Sequence, residues 1–458
     1  MSLTNTSSLK LSSTEHSRPQ ELKIAVLAVL GAVLITLNVL WLYFPDHARV
    51  TYFFWFFNIQ TLAYLAACAL VIRYEPNRHS FILILVIAAI LRFSLLPTIP
   101  AHSTDIYRYV WEGLVQTKGV NPYRYVPAAP ELAHLRDSYV YENINRKDYA
   151  RSPYPPVAQL IFATSAFIRP YGVTTLKVFF FLFECVTIAA LILLLMKLGM
   201  NPARIVVYAW SPLAIWEGAQ NGHIDIVAVT FISLAALAAA YNRRTTTGVL
   251  VACAAMVKIF PAMLAVAFYK RWDFKLPTAM LTTLALFCIP YFVFGRVTIG
   301  HISQYPSEEG FLSGERFILL KWIHKVMWMH PYTYMGMFAV ILSAACLYLL
   351  FREKDIFAQL RGCTLLAGLT LLFISPQYGW YYLWLLPLLS VTIEDVPPLQ
   401  FASAALIAYS YIRYHLAQKL TPDLLLAPII SGLSLYQFPS VQWFWLLLIS
   451  SAAFLSWI

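Results

Sequence analysis

Hydrophobic and polar positions along this chain fall into long apolar blocks, not into the alternating or one-sided patterns of soluble strands and helices. Runs near 24–44, 51–72 and 81–99 each reach the length an α-helix needs to cross a hydrocarbon core of about 30 Å. One long polar interruption follows, 100–155. Beyond it come apolar runs at 156–168, 173–196, 204–217, 223–241, 248–269, 276–294, 332–351, 363–376, 380–393, 399–412, 422–437 and 441–457. Several are short or interrupted by proline. The pattern therefore predicts an all-α polytopic membrane protein with about eleven to thirteen helices, some of them half-helices or helices lying in the bilayer plane.

Composition agrees. Of 458 residues, 60% are hydrophobic and only 12% charged, where a soluble domain carries roughly a quarter charged. The net charge is +11. With so few charges, that excess belongs in membrane-flanking loops and not on a nucleic-acid face. The six cysteines (Cys68, Cys185, Cys253, Cys288, Cys346, Cys363) lie in apolar stretches without CxxC spacing and read as small hydrophobes. Residues 1–23 are polar and Ser/Thr-rich, and read as a disordered cytoplasmic leader.

Basic clusters at Arg73/Arg78, Lys197/Arg204, Arg243/Arg244, Lys270/Arg271/Lys275 and Arg352/Lys354/Arg361 mark cytoplasmic turns. Three crossings from an inside amino terminus then place loop 100–155 outside. The scheme closes only if 156–168 does not cross fully and 248–269 turns back on itself. Lys258-Ile-Phe-Pro261 supplies a break for the second. With both adjustments the turns 218–222, 295–331 and 375–380 share the outer face with the long loop. The seven basic residues of that loop pull the other way, although the rule weakens as loops approach about 60 residues.

The loop begins Ser103-Thr-Asp105-Ile-Tyr107-Arg108-Tyr109-Val-Trp111-Glu112-Gly113. Asp105 stands where the chain leaves the third run. A carboxylate there, beside Arg108, is suited to accept a proton from an attacking hydroxyl. It is also suited to cap the helix expected over 106–117, and the two roles do not exclude each other. Arg92 and Lys258 lie inside apolar runs, where a charge costs roughly 2.5–3.5 kcal/mol on insertion scales. Each marks either a site for an anion or a side chain that snorkels to an interface.

The Asp-Ile-Tyr-Arg-Tyr-Val-Trp-Glu-Gly stretch is followed by Gly119-Val-Asn121-Pro122-Tyr123-Arg124-Tyr125 and by Ser152-Pro-Tyr154-Pro155-Pro156-Val-Ala-Gln159. Together they resemble the GT-C superfamily of integral-membrane glycosyltransferases, in particular bacterial polyprenol-phosphate-mannose-dependent mannosyltransferases. Asn221-Gly222-His223-Ile224-Asp225, Lys258-Ile-Phe-Pro261 and Ser375-Pro376-Gln-Tyr378-Gly-Trp380-Tyr381-Tyr382-Leu-Trp384 match in order, so the likeness covers about 80–390.

The resemblance implies an inverting enzyme of the bacterial inner membrane, working on its extracytoplasmic side. Its partners would be the bilayer, a polyprenyl-phosphate-linked hexose (mannose is expected) and a lipid or glycan acceptor. Asp105 would be the catalytic base. Arg92, Arg108, Arg124, Lys258 and Arg316 are the candidates for the donor phosphate, whose leaving charge needs stabilisation. Tyr107, Tyr123, Tyr154, Gln159, His223, Asp225, Tyr378 and Trp380 are the candidates for sugar or acceptor.

Other roles remain open for some of these. His223 also fits a capped helix start, and the aromatics from Tyr378 to Trp384 also fit an interfacial belt. Glu308, Glu309 and Glu315 would lie over the acceptor. Ser103 and Thr104 stand where commoner loops of the superfamily carry a second acid, so no metal or other cofactor is expected.

Four units follow: a leader 1–23, an amino-terminal hairpin 24–80, a catalytic core 81–390 and carboxy-terminal helices 391–458. The competing class is a transporter or flippase of lipid-linked glycans, which would be expected to show two similar halves. A ligase or polymerase using polyprenyl diphosphate donors would be expected to carry its large loop late in the chain.

Overall fold

The computed structural model describes residues 8–392 apart from 45, 75, 294–304, 309, 315, 353–354 and 375–377. Glu309, Glu315, Ser375, Pro376 and the apolar runs from 399 onward lie outside the described residues. Every regular element among those described is helical. Six stretches are long and apolar enough to cross a membrane: Gln20–Tyr43, Arg78–Leu95, Val173–Lys197, Lys275–Val293, Pro331–Phe351 and Ile356–Ile374. Their outer faces expose Leu182, Leu193, Leu281, Leu286, Val340 and Leu347, whereas Arg92, Lys177 and Glu184 are buried. Hydrocarbon solvent demands that inversion: apolar side chains need no cover there, and charges must find partners.

The first helix, α1 (Ser8–Tyr43), begins inside the segment expected to be irregular. The cause is cooperativity, because a residue added to an existing helix gains a hydrogen bond without a new nucleation cost. Helices α2 (Asp46–Arg73) and α3 (Arg78–Leu95) complete an amino-terminal layer. This layer is not a separate unit. Trp216 Nε1 donates to Gln60 Oε1 (2.8 Å), Gln60 Nε2 to Asn38 Oδ1 (2.7 Å) and Asn38 Nδ2 to Ser94 Oγ (3.3 Å). A polar chain thus ties α1, α2 and α3 to the segment around Trp216, and their apolar side chains join the main core.

The long loop opens with α4 (Asp105–Thr117), which packs on α5 (Pro156–Ile168). Contact is close enough that a Cβ at Gly113 would overlap the Phe162 carbonyl. At 13 residues, α5 rises only about 20 Å and cannot span. The central helices are α6 (Val173–Lys197), α7 (Asp225–Ala240) and α8 (Arg244–Ala255).

After α8 the run breaks at Met256–Ile259 and resumes as short turns through Phe268. Arg244 Nη1, at the start of α8, donates to the Phe268 carbonyl at 3.0 Å. The two ends of the run therefore meet, as the turned-back reading of 248–269 requires. At the apex, the Met256 carbonyl accepts hydrogen bonds from the N–H groups of Val157 (3.1 Å) and Ala158 (3.2 Å). These are orphan donors of the first turn of α5, so the start of α5 meets the break after α8 two residues before Lys258.

Candidate active site

Asp105 is the first residue of α4, one place past the cap, and Thr104 holds the cap position without a side-chain bond. The carboxylate does not bond its own helix. Its Oδ1 accepts from Asn145 Nδ2 at 2.7 Å, which corrects the capping reading while leaving the charge where the helix dipole favours it. Arg108 is not its partner either. Arg108 Nε donates to Glu112 Oε1 (2.6 Å) and Nη2 to the Ala150 carbonyl (2.7 Å).

Glu112 proves to be the hub of the loop. Its Oε2 accepts from Ser152 Oγ and Gln159 Nε2, both at 2.6 Å. Gln159 is thus held inside the scaffold, and its Oε1 accepts from Gln116 at 2.8 Å. Tyr123 is similarly engaged, donating its hydroxyl to the Tyr154 carbonyl at 2.6 Å. Tyr107 contacts the Tyr139 hydroxyl at 3.5 Å. Burial, then that contact, pushes its phenol above the usual range, so it remains a neutral hydroxyl.

The loop is stitched to the Asn221–Asp225 turn. Gln220 Nε2 donates to the Ile99 carbonyl (2.8 Å), and the backbone N–H of His102 to Asn221 Oδ1 (3.1 Å). Gly222 has φ +70°, and a Cβ there would lie 2.5 Å from Ile106 Cδ1. Only glycine allows both that backbone and that approach. The approach carries His223 and Asp225 to the start of α4, where Asp105 acts electrostatically on Asp225, Tyr109 and Tyr154.

Asp225 is fully buried, and Lys258 Nζ lies 3.3 Å from its Oδ2. The same ammonium stands 5.6 Å from the Tyr154 ring and 5.1 Å from the Tyr381 ring. The His223 ring stacks on Trp380 (3.9 Å, 19°), which in turn stacks with Tyr378 (4.6 Å, 9°). Its Nε2 is 3.2 Å from Glu217 Oε2. Asp225 Oδ2 is thus ion-paired and His223 Nε2 faces a carboxylate, while Asp225 Oδ1 and His223 Nδ1 have no hydrogen-bond partner in a buried setting.

Asp105, Tyr154, His223, Asp225, Lys258, Tyr378 and Trp380 thus come together. Arg92 does not join them. It is buried, with Nη2 on Glu184 Oε1 (2.6 Å) and Nη1 on the Ala88 (3.0 Å) and Ala209 (2.7 Å) carbonyls. Arg124 is exposed over the Tyr125 ring. Arg316 lies one step away, in a cleft walled by Phe260, Phe311, Leu371, Ile374 and Trp384 and bordered by Tyr381. Its Nε donates to the Ile374 carbonyl at 3.1 Å.

Glu308 reaches the loop through Arg146, Nε to Oε2 at 3.3 Å. Among the described residues, Gln220 and Asn221 thus contact the segment around the start of the long loop, Glu308 contacts Arg146 within it, and Trp380 packs on His223 of the Asn221–Asp225 turn. Among the described residues, no three His, Cys, Asp or Glu side chains gather to hold a metal.

Sequence reasoning missed Asn145, Glu217 and Tyr109. Glu217 occupies a π-helical turn, Ile215–Gln220, of a kind that recurs at functional sites. Tyr109 stands four residues past Asp105, hence on the same face of α4, a spacing visible in the sequence. Asn145 carries no such signal.

Residues 17–272 match the family described as alpha-(1->6)-mannopyranosyltransferase, N-terminal domain, of the MptA/B group. The matched span includes the amino-terminal hairpin that the motif resemblance left out, together with Asp105, His223, Asp225 and Lys258. Comparison with curated proteins and with solved structures gives no match. Agreement over more than half of the chain, on a helical membrane fold, decides for an enzyme over a transporter: the chain belongs to the alpha-(1->6)-mannopyranosyltransferase family of mannosyltransferases.

Proposed function

We propose that this enzyme moves mannose, with inversion, from a polyprenyl-phosphate donor to a hydroxyl of a lipid or glycan acceptor at the extracytoplasmic face. The observation that carries the reading is the Asp105 carboxylate. One oxygen is held by Asn145, and the group lies in the same cluster as Lys258, Asp225 and His223.

Asp105 takes the proton of the acceptor hydroxyl as that oxygen bonds to the anomeric carbon. The bond from that carbon to the phosphate oxygen breaks on the opposite side, and the polyprenyl phosphate leaves as an anion. Lys258 supplies the facing charge, in a low-dielectric setting where such stabilisation is strongest. The small apolar cleft beyond Tyr381, with Arg316 in its wall, adjoins the place proposed for the donor headgroup. The unused groups of His223 and Asp225 suit sugar hydroxyls. As proposed, the reaction uses protein groups only.

The test is incubation of purified enzyme with polyprenyl-phosphate mannose, radiolabelled in the sugar, and a membrane lipid and glycan extract. Label should pass to acceptor with the wild type. Asp105→Asn should abolish transfer, a loss of at least about 10²-fold, while the protein stays folded and donor-bound. Full activity in Asp105→Asn would remove the base assignment, and absence of transfer from this donor by the wild type would remove the donor.

A further inference from the structure

The bond between Asn145 and Asp105 spans 40 positions of sequence and joins the far end of the long loop to the start of α4. Asn145 is half-buried, and the chain on both sides of it is pinned. The N–H of Ile144 donates to the Tyr141 carbonyl (3.2 Å), that of Ala150 to the Arg146 carbonyl (3.0 Å), and that of Ala128 to the Lys147 carbonyl (3.1 Å).

Arg146 itself sits at φ +55°, a backbone that a residue with a Cβ adopts only when its surroundings impose it. Its side chain is ion-paired to Glu308 of the neighbouring loop. An amide this firmly placed, donating to one oxygen of a carboxylate that makes no other side-chain hydrogen bond among the described residues, has a directional effect. It fixes the rotation of the carboxyl and leaves Oδ2 as the basic oxygen.

We propose that Asn145 is the positioning residue for Asp105. Its N–H holds Oδ1 and aims Oδ2 at the acceptor hydroxyl. The inference rests on the reading of Asp105 as base. Other groups facing Asp105 are Tyr109 on its own helix, Tyr154 on the loop and Asp225 on α7. Lys258 stands behind Asp225, and Arg108 is tied to Glu112. None of these replaces a donor at Oδ1.

The experiment compares full-length wild type, Asn145→Ala, Asn145→Asp and Asp105→Asn, using polyprenyl-phosphate mannose and membrane extract at neutral pH. Asn145→Ala should lower kcat about ten-fold with donor KM unchanged, the loss expected when one hydrogen bond that orients the carboxylate is removed. Asn145→Asp keeps the shape but sets a carboxylate, not a donor, against Oδ1, and should lower kcat at least as far with donor KM unchanged. It also covers the case in which the alanine variant fails to fold.

Wild-type kcat in both Asn145 variants, with Asp105→Asn inactive, overturns the positioning role and leaves the base intact. Activity in Asp105→Asn removes both.

Discussion

Lys258 and Arg92 raise the same question at the scale of one residue, and the structure answers it differently for each. Both are cations in apolar runs, and the cost of a buried charge flags both equally. Arg92 finds Glu184, itself buried, 92 positions along the chain. Lys258 finds Asp225 at 3.3 Å and two tyrosine rings, one of them Tyr154 of the long loop. Hydropathy cannot tell these outcomes apart, because nothing local to Arg92 announces a partner so distant in sequence.

Lys258→Ala should weaken binding of polyprenyl phosphate about ten- to a hundred-fold, the range expected for one charge-assisted contact. Equilibrium binding to enzyme in lipid nanodiscs measures this, and unchanged affinity would return Lys258 to a structural role. Asp105 was legible because a carboxylate at a membrane exit is unusual. Asn145 was not, because an asparagine in a polar loop is ordinary until its partner is seen.

At the scale of elements, the breaks decide the site. Pro261 announced the interruption of the run 248–269, and the meeting of Arg244 with Phe268 shows its ends joined. The shortness of α5 was equally plain from its length. The π-helical turn at Ile215–Gln220 was hidden, since no proline or glycine pattern marks a single extra residue per turn. Much of the sequence likeness in the long loop turns out to be scaffold. Glu112, Ser152 and Gln159 bond one another, and Gly113 permits the contact of α4 with α5.

The Arg92–Glu184 pair between α3 and α6 works in the same structural sense. Glu184→Ala leaves a buried guanidinium without its counter-charge and should cost about 3–5 kcal/mol, read as a fall in the thermal unfolding midpoint of the detergent-solubilised protein. A midpoint within error of wild type would show that water or lipid replaces the carboxylate.

For the molecule as a whole, the topological argument from Lys and Arg placement anticipated that four separated turns would lie together, and the contacts of Asn221, Glu308 and Trp380 realise that. Which side of the membrane they face is a separate matter, tested by labelling. A single cysteine at the exposed Glu131, in a chain whose six cysteines are replaced by serine or alanine, should react with a membrane-impermeant maleimide in intact cells. Reaction only after permeabilisation would put the loop, and the transfer, on the cytosolic side. Apolar periodicity shows that helices pack without showing which ones share a core; here α1, α2 and α3 share one with the central helices.

The chain of amides running Trp216–Gln60–Asn38–Ser94 bears on how this architecture can be cut. Stripped of α1 and α2, the remaining bundle would turn the Trp216 indole N–H toward acyl chains with nothing to answer it, and such an orphan is heavily penalised in oil. The first two helices are therefore the floor of the catalytic body, inseparable from it by excision or by exchange for a generic anchor.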